Sequence, residues 1–349
     1  ACQQQDRFDG CSTLRPNISQ EAGRVSEIKV TGQKRLVLVS GRAHPQLAID
    51  IAAALGSELV HTDARTFANG EIYARYDESV RGCDAFVIQS HTFPINEWLM
   101  EQLIMVDALK RASAKRITVV MPFYPYARQD KKHRGREPIS ARLVADLFKA
   151  AGADRIMSVD LHAAQIQGFF DGPVDHLFAM PVLLEHFIAH VDTTKLTVVS
   201  PDMGRVRVAD IWSDKLGAPL AIIHKRRDPL VHNQVTVHEI VGDVHGRTCL
   251  IVDDMIDTGR TIAKAAEALK KYGATKVIVA ATHAVFSPPA REMLQSEFID
   301  SVVVTDTLPI PEEKRFPTLT VLPIAPLIAR AISAVFNDGS VTSMFDGAA

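Results

Sequence analysis

The chain has 349 residues and a formal net charge of -2. That length suits two ordinary domains, and the near-neutral balance gives no global argument for a nucleic-acid or membrane partner. With 47% hydrophobic and 23% charged residues, a large core is available and the composition argues against bulk disorder.

No apolar run approaches the roughly 20 residues of a spanning helix, and the N-terminus lacks the charged-then-apolar pattern of a secretory signal. Cys2, Cys11, Cys83 and Cys249 form neither a disulfide framework nor a zinc spacing. A reduced, cytoplasmic compartment is therefore expected. Residues 1–34 are polar and aperiodic and read as a flexible tail or vector remnant; the absent initiator Met points to processing.

From residue 35 onward, strand and helix signals alternate. Strands are predicted over 35–40, 85–89, 116–121 and 155–160, each a short β-branched apolar run. Helices are predicted over 45–55, over 96–112 with Leu99, Leu103, Val106 and Leu109 inward, and over 140–151 with Ser140 as cap. This is a βαβ series, which implies helices covering a parallel sheet. After a joining stretch, 173–191, the pattern restarts with strands over 196–200, 220–224, 248–252, 276–281 and 301–305. Two α/β units in tandem fit better than one very wide sheet.

The densest chemical signal is Cys249-Leu-Ile-Val-Asp-Asp-Met-Ile-Asp-Thr-Gly-Arg-Thr261. A strand leads into Asp253 and Asp254, then a polar turn from Asp257, then a helix. An Asp pair after a strand is also what a solvated strand end or an N-cap looks like. A strand, tight loop and helix N-terminus make a phosphate cradle, because backbone N–H groups and the helix dipole face the anion. Carboxylates repel phosphate but suit hydroxyls or a metal beside it. A sugar phosphate has both ends: hydroxyls for Asp253 and Asp254, phosphate for Asp257, Thr258, Gly259, Arg260 and Thr261.

Further signals lie elsewhere. Residues 121–140 pack Arg128, Lys131, Lys132, Arg134 and Arg136 behind Phe123, Tyr124 and Tyr126. This is either a solvated basic loop or a nucleotide clamp of rings and guanidinium groups. Phe67-Ala-Asn-Gly-Glu-Ile72 reads alone as a glycine turn before a strand. His162 and Asp202 each follow a strand. Ile222-Ile-His-Lys-Arg-Arg-Asp228 runs a strand into three cations, either a charge-protected edge or a means of neutralising a transferring phosphoryl group.

The loop from Asp253 to Thr261 resembles the phosphoribosyl-diphosphate loop of type I phosphoribosyltransferases and of ribose-phosphate diphosphokinases. Residues 121–137 resemble the diphosphokinases alone. The resemblance spans residues 35 to the end, with six motifs in family order. It implies two tandem phosphoribosyltransferase-like domains, 35–190 on the ATP side and 191–349 on the ribose 5-phosphate side, with the last segment packing back on the first domain. It implies transfer of the diphosphoryl group of Mg-ATP to the anomeric hydroxyl of ribose 5-phosphate.

By the same resemblance, Phe67, Asn69, Gly70, Glu71, Arg128, Gln129 and Asp130 bind ATP. Lys225 and Arg227 are catalytic on a flap continuing through 228–234, and Arg227 also touches ribose 5-phosphate. His162 and Asp202 hold Mg2+, and Asp160 supports His162. The family also implies a homohexamer with ATP sites shared between subunits, and regulation by phosphate and ADP. Two positions depart from the usual family pattern: Arg205 and Arg260 stand where glycine is common. A phosphoribosyltransferase needs no ATP segment, a silent regulatory paralogue would lose the flap cations or metal ligands, and a nucleic-acid binder would need more than a local basic loop.

Overall fold

The structure, a computed structural model, describes residues 34–227 and 236–345; of 225–227 and 236–238 it describes the backbone alone. The first half runs β1 (Leu36–Ser40), α1 (Pro45–Ala54), β2 (Thr62–Thr66), β3 (Ile72–Tyr76), β4 (Asp84–Ile88), α2 (Ile95–Arg111), β5 (Arg116–Met121), α3 (Ser140–Ala151), β6 (Arg155–Val159), β7 (Val174–Leu177) and α4 (Met180–His190). The second runs β8 (Leu196–Ser200), α5 (Val206–Leu216), β9 (Leu220–Arg227), β10 (Thr236–Val241), β11 (Thr248–Ile256), α6 (Arg260–Lys271), β12 (Lys276–Ala284), α7 (Ala290–Leu294), β13 (Ser301–Thr305), β14 (Leu319–Leu322) and α8 (Ala325–Phe336).

Strands β1, β4, β5, β6 and β7 form one all-parallel sheet in that order. The second sheet, in the order β10-β9-β8-β11-β12-β13-β14, is parallel except for the antiparallel edge pair β9–β10. The expected α/β class with mostly parallel, helix-flanked sheets is what the chain adopts. β2 and β3 stand apart as an antiparallel hairpin.

Each central strand is apolar on both faces, and alternate residues go to different cores. In β4, Ala85 and Val87 join the layer with α2 and α3, while Phe86 and Ile88 face the other way. In β11, Cys249 and Ile251 pack with Ile262 and Leu269 of α6, whereas Leu250 and Val252 face the opposite side. That opposite side is shared. Phe86 and Ile88 from the first sheet and Leu250 and Val252 from the second belong to one continuous core with Ile51 of α1, Phe187 of α4, Trp212 of α5 and Ile328 and Ile332 of α8. The last helix therefore packs on the first. Cys83 and Cys249 are free and buried.

Three local expectations are corrected. Strand β11 does not stop at residue 252 but carries Asp253 and Asp254 within it. Residues 173–191 are more than a joint, since they contain the edge strand β7 and helix α4. Ser140 is not the cap of α3: Ile139 holds that position, and the Ser140 hydroxyl donates to Gln129 Oε1 at 2.6 Å. Asp160 sits just past β6 with a positive φ of 38°, and its carboxylate accepts from Thr282 and from the Ala179 N–H.

Several histidines fold neutral. Burial pushes His91 down to about 4 and His176 down to about 4 from 6.5. His176 Nε2 accepts the Leu161 N–H at 2.9 Å, which a protonated ring cannot do. Between pH 6.5 and about 4 the unfolded chain takes up protons that the folded chain refuses. Stability is thus full above pH 6.5 and falls on acidification, by about 1.4 kcal/mol per pH unit for each such ring. His91→Asn, which cannot titrate, is expected to flatten the slope of unfolding free energy between pH 6.5 and 4.5 by roughly that amount. An unchanged slope in urea titrations would refute it.

Candidate active site

Chemistry gathers at the carboxyl ends of the strands, where open α/β sheets bind ligands. The chain visits β8, moves out to β9 and β10, then returns to β11 on the other side of β8. That reversal opens a crevice at the ends of β8 and β11. Asp202 follows β8, and Asp253, Asp254 and Asp257 lie at the end of β11. His162, after β6, and Arg128, after β5, reach the same place from the first sheet.

A cleft of about 270 Å3 is lined by Arg128, His162, Asp202, Arg205, Asp253 to Gly259, and Thr261 with Ile262. Asp254 is its best-held carboxylate. It is paired with His162 Nδ1 at 2.7 Å and with Arg205 Nη2 at 2.6 Å, and its side chain is 10% exposed. Burial works to raise its pKa, but the His162 hydrogen bond and the Arg205 charge outweigh it and hold the group below the usual carboxylate range. Its neighbour Asp253 goes the other way: burial, then the charge of Asp254, push it well above that range. Two adjacent carboxylates so enclosed cannot both ionise freely.

The expected order of strand, tight loop and helix N-terminus is present from β11 to α6. Gly259, with φ +71°, caps α6, and an added Cβ would stand 3.2 Å from Met293 Cβ. A side chain there would meet both backbone strain and α7. Asp257 accepts from Arg128 Nη1 at 2.7 Å. Burial raises its pKa, but hydrogen bonds from Ser287 and Arg128 win and lower it.

A second, larger and more apolar cleft of about 900 Å3 adjoins through Arg128. Its lining includes His91, Phe123, Tyr126, Gln129, Phe286 and Lys314. His91 Nε2 is buried without a hydrogen-bond partner.

Most expected residues converge, and some do not. Arg128, His162, Asp202, Asp253, Asp254, Asp257, Thr258, Gly259 and Thr261 line the small cleft, and Arg128 and Gln129 the large one. Arg260 is exposed and lines neither. Asp130 is buried, with its carboxylate held by Gln165, and also lines neither. Phe67, Asn69, Gly70 and Glu71 form the tip of the β2–β3 hairpin, outside both clefts of their own chain, with Phe67 46% exposed. The side chains of Lys225 and Arg227, and residues 228–234, lie outside the described residues apart from the backbone of β9.

Asp160 Oδ2 accepts from Thr282 and from the Ala179 N–H, and the carboxylate in contact with His162 is that of Asp254. Sequence reasoning missed the ion pairs of Arg205 and the wall formed by Val285 to Pro288. The wall could have been found from its place just past β12, since every strand end on this edge is a candidate.

Residues 36–152 match the family model for the N-terminal domain of ribose phosphate pyrophosphokinase, and 229–346 match that for the phosphoribosyl synthetase-associated domain. The ribose-phosphate pyrophosphokinase of Streptomyces avermitilis is 66% identical over 319 residues, covering 91% of this chain and 98% of that one. The Mycobacterium tuberculosis protein of the same name is 63% identical over 316 residues, 90% of this chain and 97% of that one. A crystal structure of phosphoribosylpyrophosphate synthetase from Mycobacterium smegmatis superposes with a TM-score of 0.83 at 62% identity, covering 88% of this chain and 100% of that one. Similarity of this extent through both sheets leaves one assignment: the chain belongs to the ribose-phosphate pyrophosphokinase family.

Proposed function

We propose that this chain transfers the diphosphoryl group of Mg-ATP to the anomeric hydroxyl of D-ribose 5-phosphate, giving 5-phospho-α-D-ribose 1-diphosphate and AMP. The observation that carries this is the pair of clefts meeting at Arg128 in a chain so similar to ribose-phosphate pyrophosphokinases. The polar cleft fits a sugar phosphate. The apolar cleft fits a purine, and Arg128 between them fits the phosphates that join the two substrates.

Asp253 and Asp254 accept the ribose hydroxyls, and the Asp257–Thr261 loop offers N–H groups to the 5-phosphate. The anomeric oxygen attacks the β-phosphorus, the bond to the α-phosphate oxygen breaks, and AMP leaves. Lys225 and Arg227 offset the charge that builds on the transferring group. No side chain is needed as a covalent intermediate, so positioning and electrostatics supply the rate.

His162 and Asp202 are the residues that would hold Mg2+. They line one cleft, and among the described residues no three His, Cys, Asp or Glu side chains converge on a ready-made cage. That fits a cation bound by one or two protein ligands and completed by phosphates and water. When bound, it would neutralise phosphate charge.

The exposed hairpin tip, Phe67 to Glu71, is free to complete the ATP cleft of a neighbouring copy, which supports a homohexamer with shared sites. Phosphate and ADP are the effectors that the family resemblance brings. A cytoplasmic location suits this reaction, and among the described residues no helix is long and apolar enough to cross a membrane.

AMP release from ATP and Mg2+, with and without ribose 5-phosphate, tests the reading. Sugar-dependent AMP is expected, and its absence would overturn the assignment.

A further inference from the structure

Asp253 and Asp254 are not waiting open. Arg205, at the end of the short 3-10 turn Met203–Arg205 ahead of α5, lays its guanidinium across both. Nε stands 3.1 Å from Asp253 Oδ1, and Nη2 stands 2.6 Å from Asp254 Oδ1. Nη2 is also 2.7 Å from His162 Nδ1, and Nη1 donates to the His162 carbonyl at 3.3 Å. The Arg205 side chain is only 16% exposed, and the carboxylates are 19% and 10% exposed. One planar cation therefore occupies oxygens of both proposed hydroxyl acceptors and lies against the ring of the candidate metal ligand. A guanidinium has the fork geometry for this.

An enclosed carboxylate pair costs free energy unless positive charge lies against it. In the free chain Arg205 supplies that charge. When sugar hydroxyls arrive at these oxygens and a divalent cation beside them at His162, a cleft of about 270 Å3 holds the guanidinium and the newcomers together poorly. We infer that Arg205 is an internal counter-cation of the sugar cleft, exchanged for substrate hydroxyls and divalent cation on loading. This deepens the sugar-site reading above and rests on it. Arg205 thereby sets how tightly the free chain holds a divalent cation, and it favours the cation's arrival together with substrate phosphate over its arrival alone. It is a positioning residue that acts through Asp253, Asp254 and His162.

The test is Mn2+ binding to the full chain without ATP or sugar, read as loss of the free Mn2+ resonance. Arg205→Gln, polar but uncharged, is expected to bind Mn2+ about tenfold more tightly, because one positive charge a few ångströms from the ion is gone. Arg205→Lys keeps the charge but cannot bridge both carboxylates, so it should tighten binding by about threefold. It also covers the case in which the Gln variant does not fold. Binding equal to or weaker than wild type in the folded variants would overturn the inference. Because no turnover is read, that failure is separate from a failure of sugar-dependent AMP release.

Discussion

Asp254→Ala is expected to lower kcat/KM for ribose 5-phosphate about a thousandfold while leaving KM for ATP within about threefold. Asp254 makes two charge-assisted contacts, to His162 at 2.7 Å and to Arg205 at 2.6 Å, and in the proposed reading it offers its oxygens to the sugar. On loading, sugar hydroxyls take the place of such contacts; hydrogen bonds to charged groups are worth about 1.5–3 kcal/mol each, so losing two of them to the sugar costs roughly 4 kcal/mol, or three powers of ten. The main chain of β11 stays paired with β8 and β12 around residues 248–251, so the sheet is not at risk. Asp254→Asn keeps the shape but turns one acceptor oxygen into a donor, and it should lose nearly as much. Steady-state kinetics decide the matter: a loss smaller than tenfold would remove Asp254 from the sugar site.

Lys225→Ala should lower kcat by about a hundred- to a thousandfold, with KM for ATP changing only a few-fold. Its backbone lies in β9, opposite His238 of β10, near one end of the β9–β10 antiparallel pairing. The expectation rests on the Lys-Arg-Arg run that ends the strand. A cation there matters most when charge spreads over the transferring group, and one such donor is worth two to three powers of ten. Equal losses in kcat and in ATP affinity would mean that Lys225 merely binds ground-state substrate.

The central strands were readable because both faces are buried, which leaves short apolar runs with sharp ends. The same rule explains the error at β11. Asp253 and Asp254 end the apolar run but not the strand, since the site lies at the strand's tip. Of the hairpin β2–β3, the glycine turn and the strand after it were legible, but β2 was not, because Thr62-Asp-Ala-Arg-Thr66 is half-exposed and belongs to neither large sheet. Asp257, Thr258, Gly259 and Thr261 could be placed at the cleft from local order alone, whereas Arg260 could not. The partner of His162 could not: Asp254 is 92 residues away, while Asp160, two positions back, is held by Thr282 of the other sheet. Arg205 drew notice only as a substituted glycine, because no local pattern tells which carboxylates a long side chain will reach.

The shared core has a consequence for the growing chain. Helix α1 ends at Ala54, and its partner α8 begins at Ala325. At about 5–20 residues per second, the ribosome needs from roughly fifteen seconds to a minute to deliver the second after the first. Through that interval Leu47, Ile51 and the inner face of the first sheet lack the surface that finally covers them. Whatever guards a nascent chain must shield this face until synthesis is almost complete.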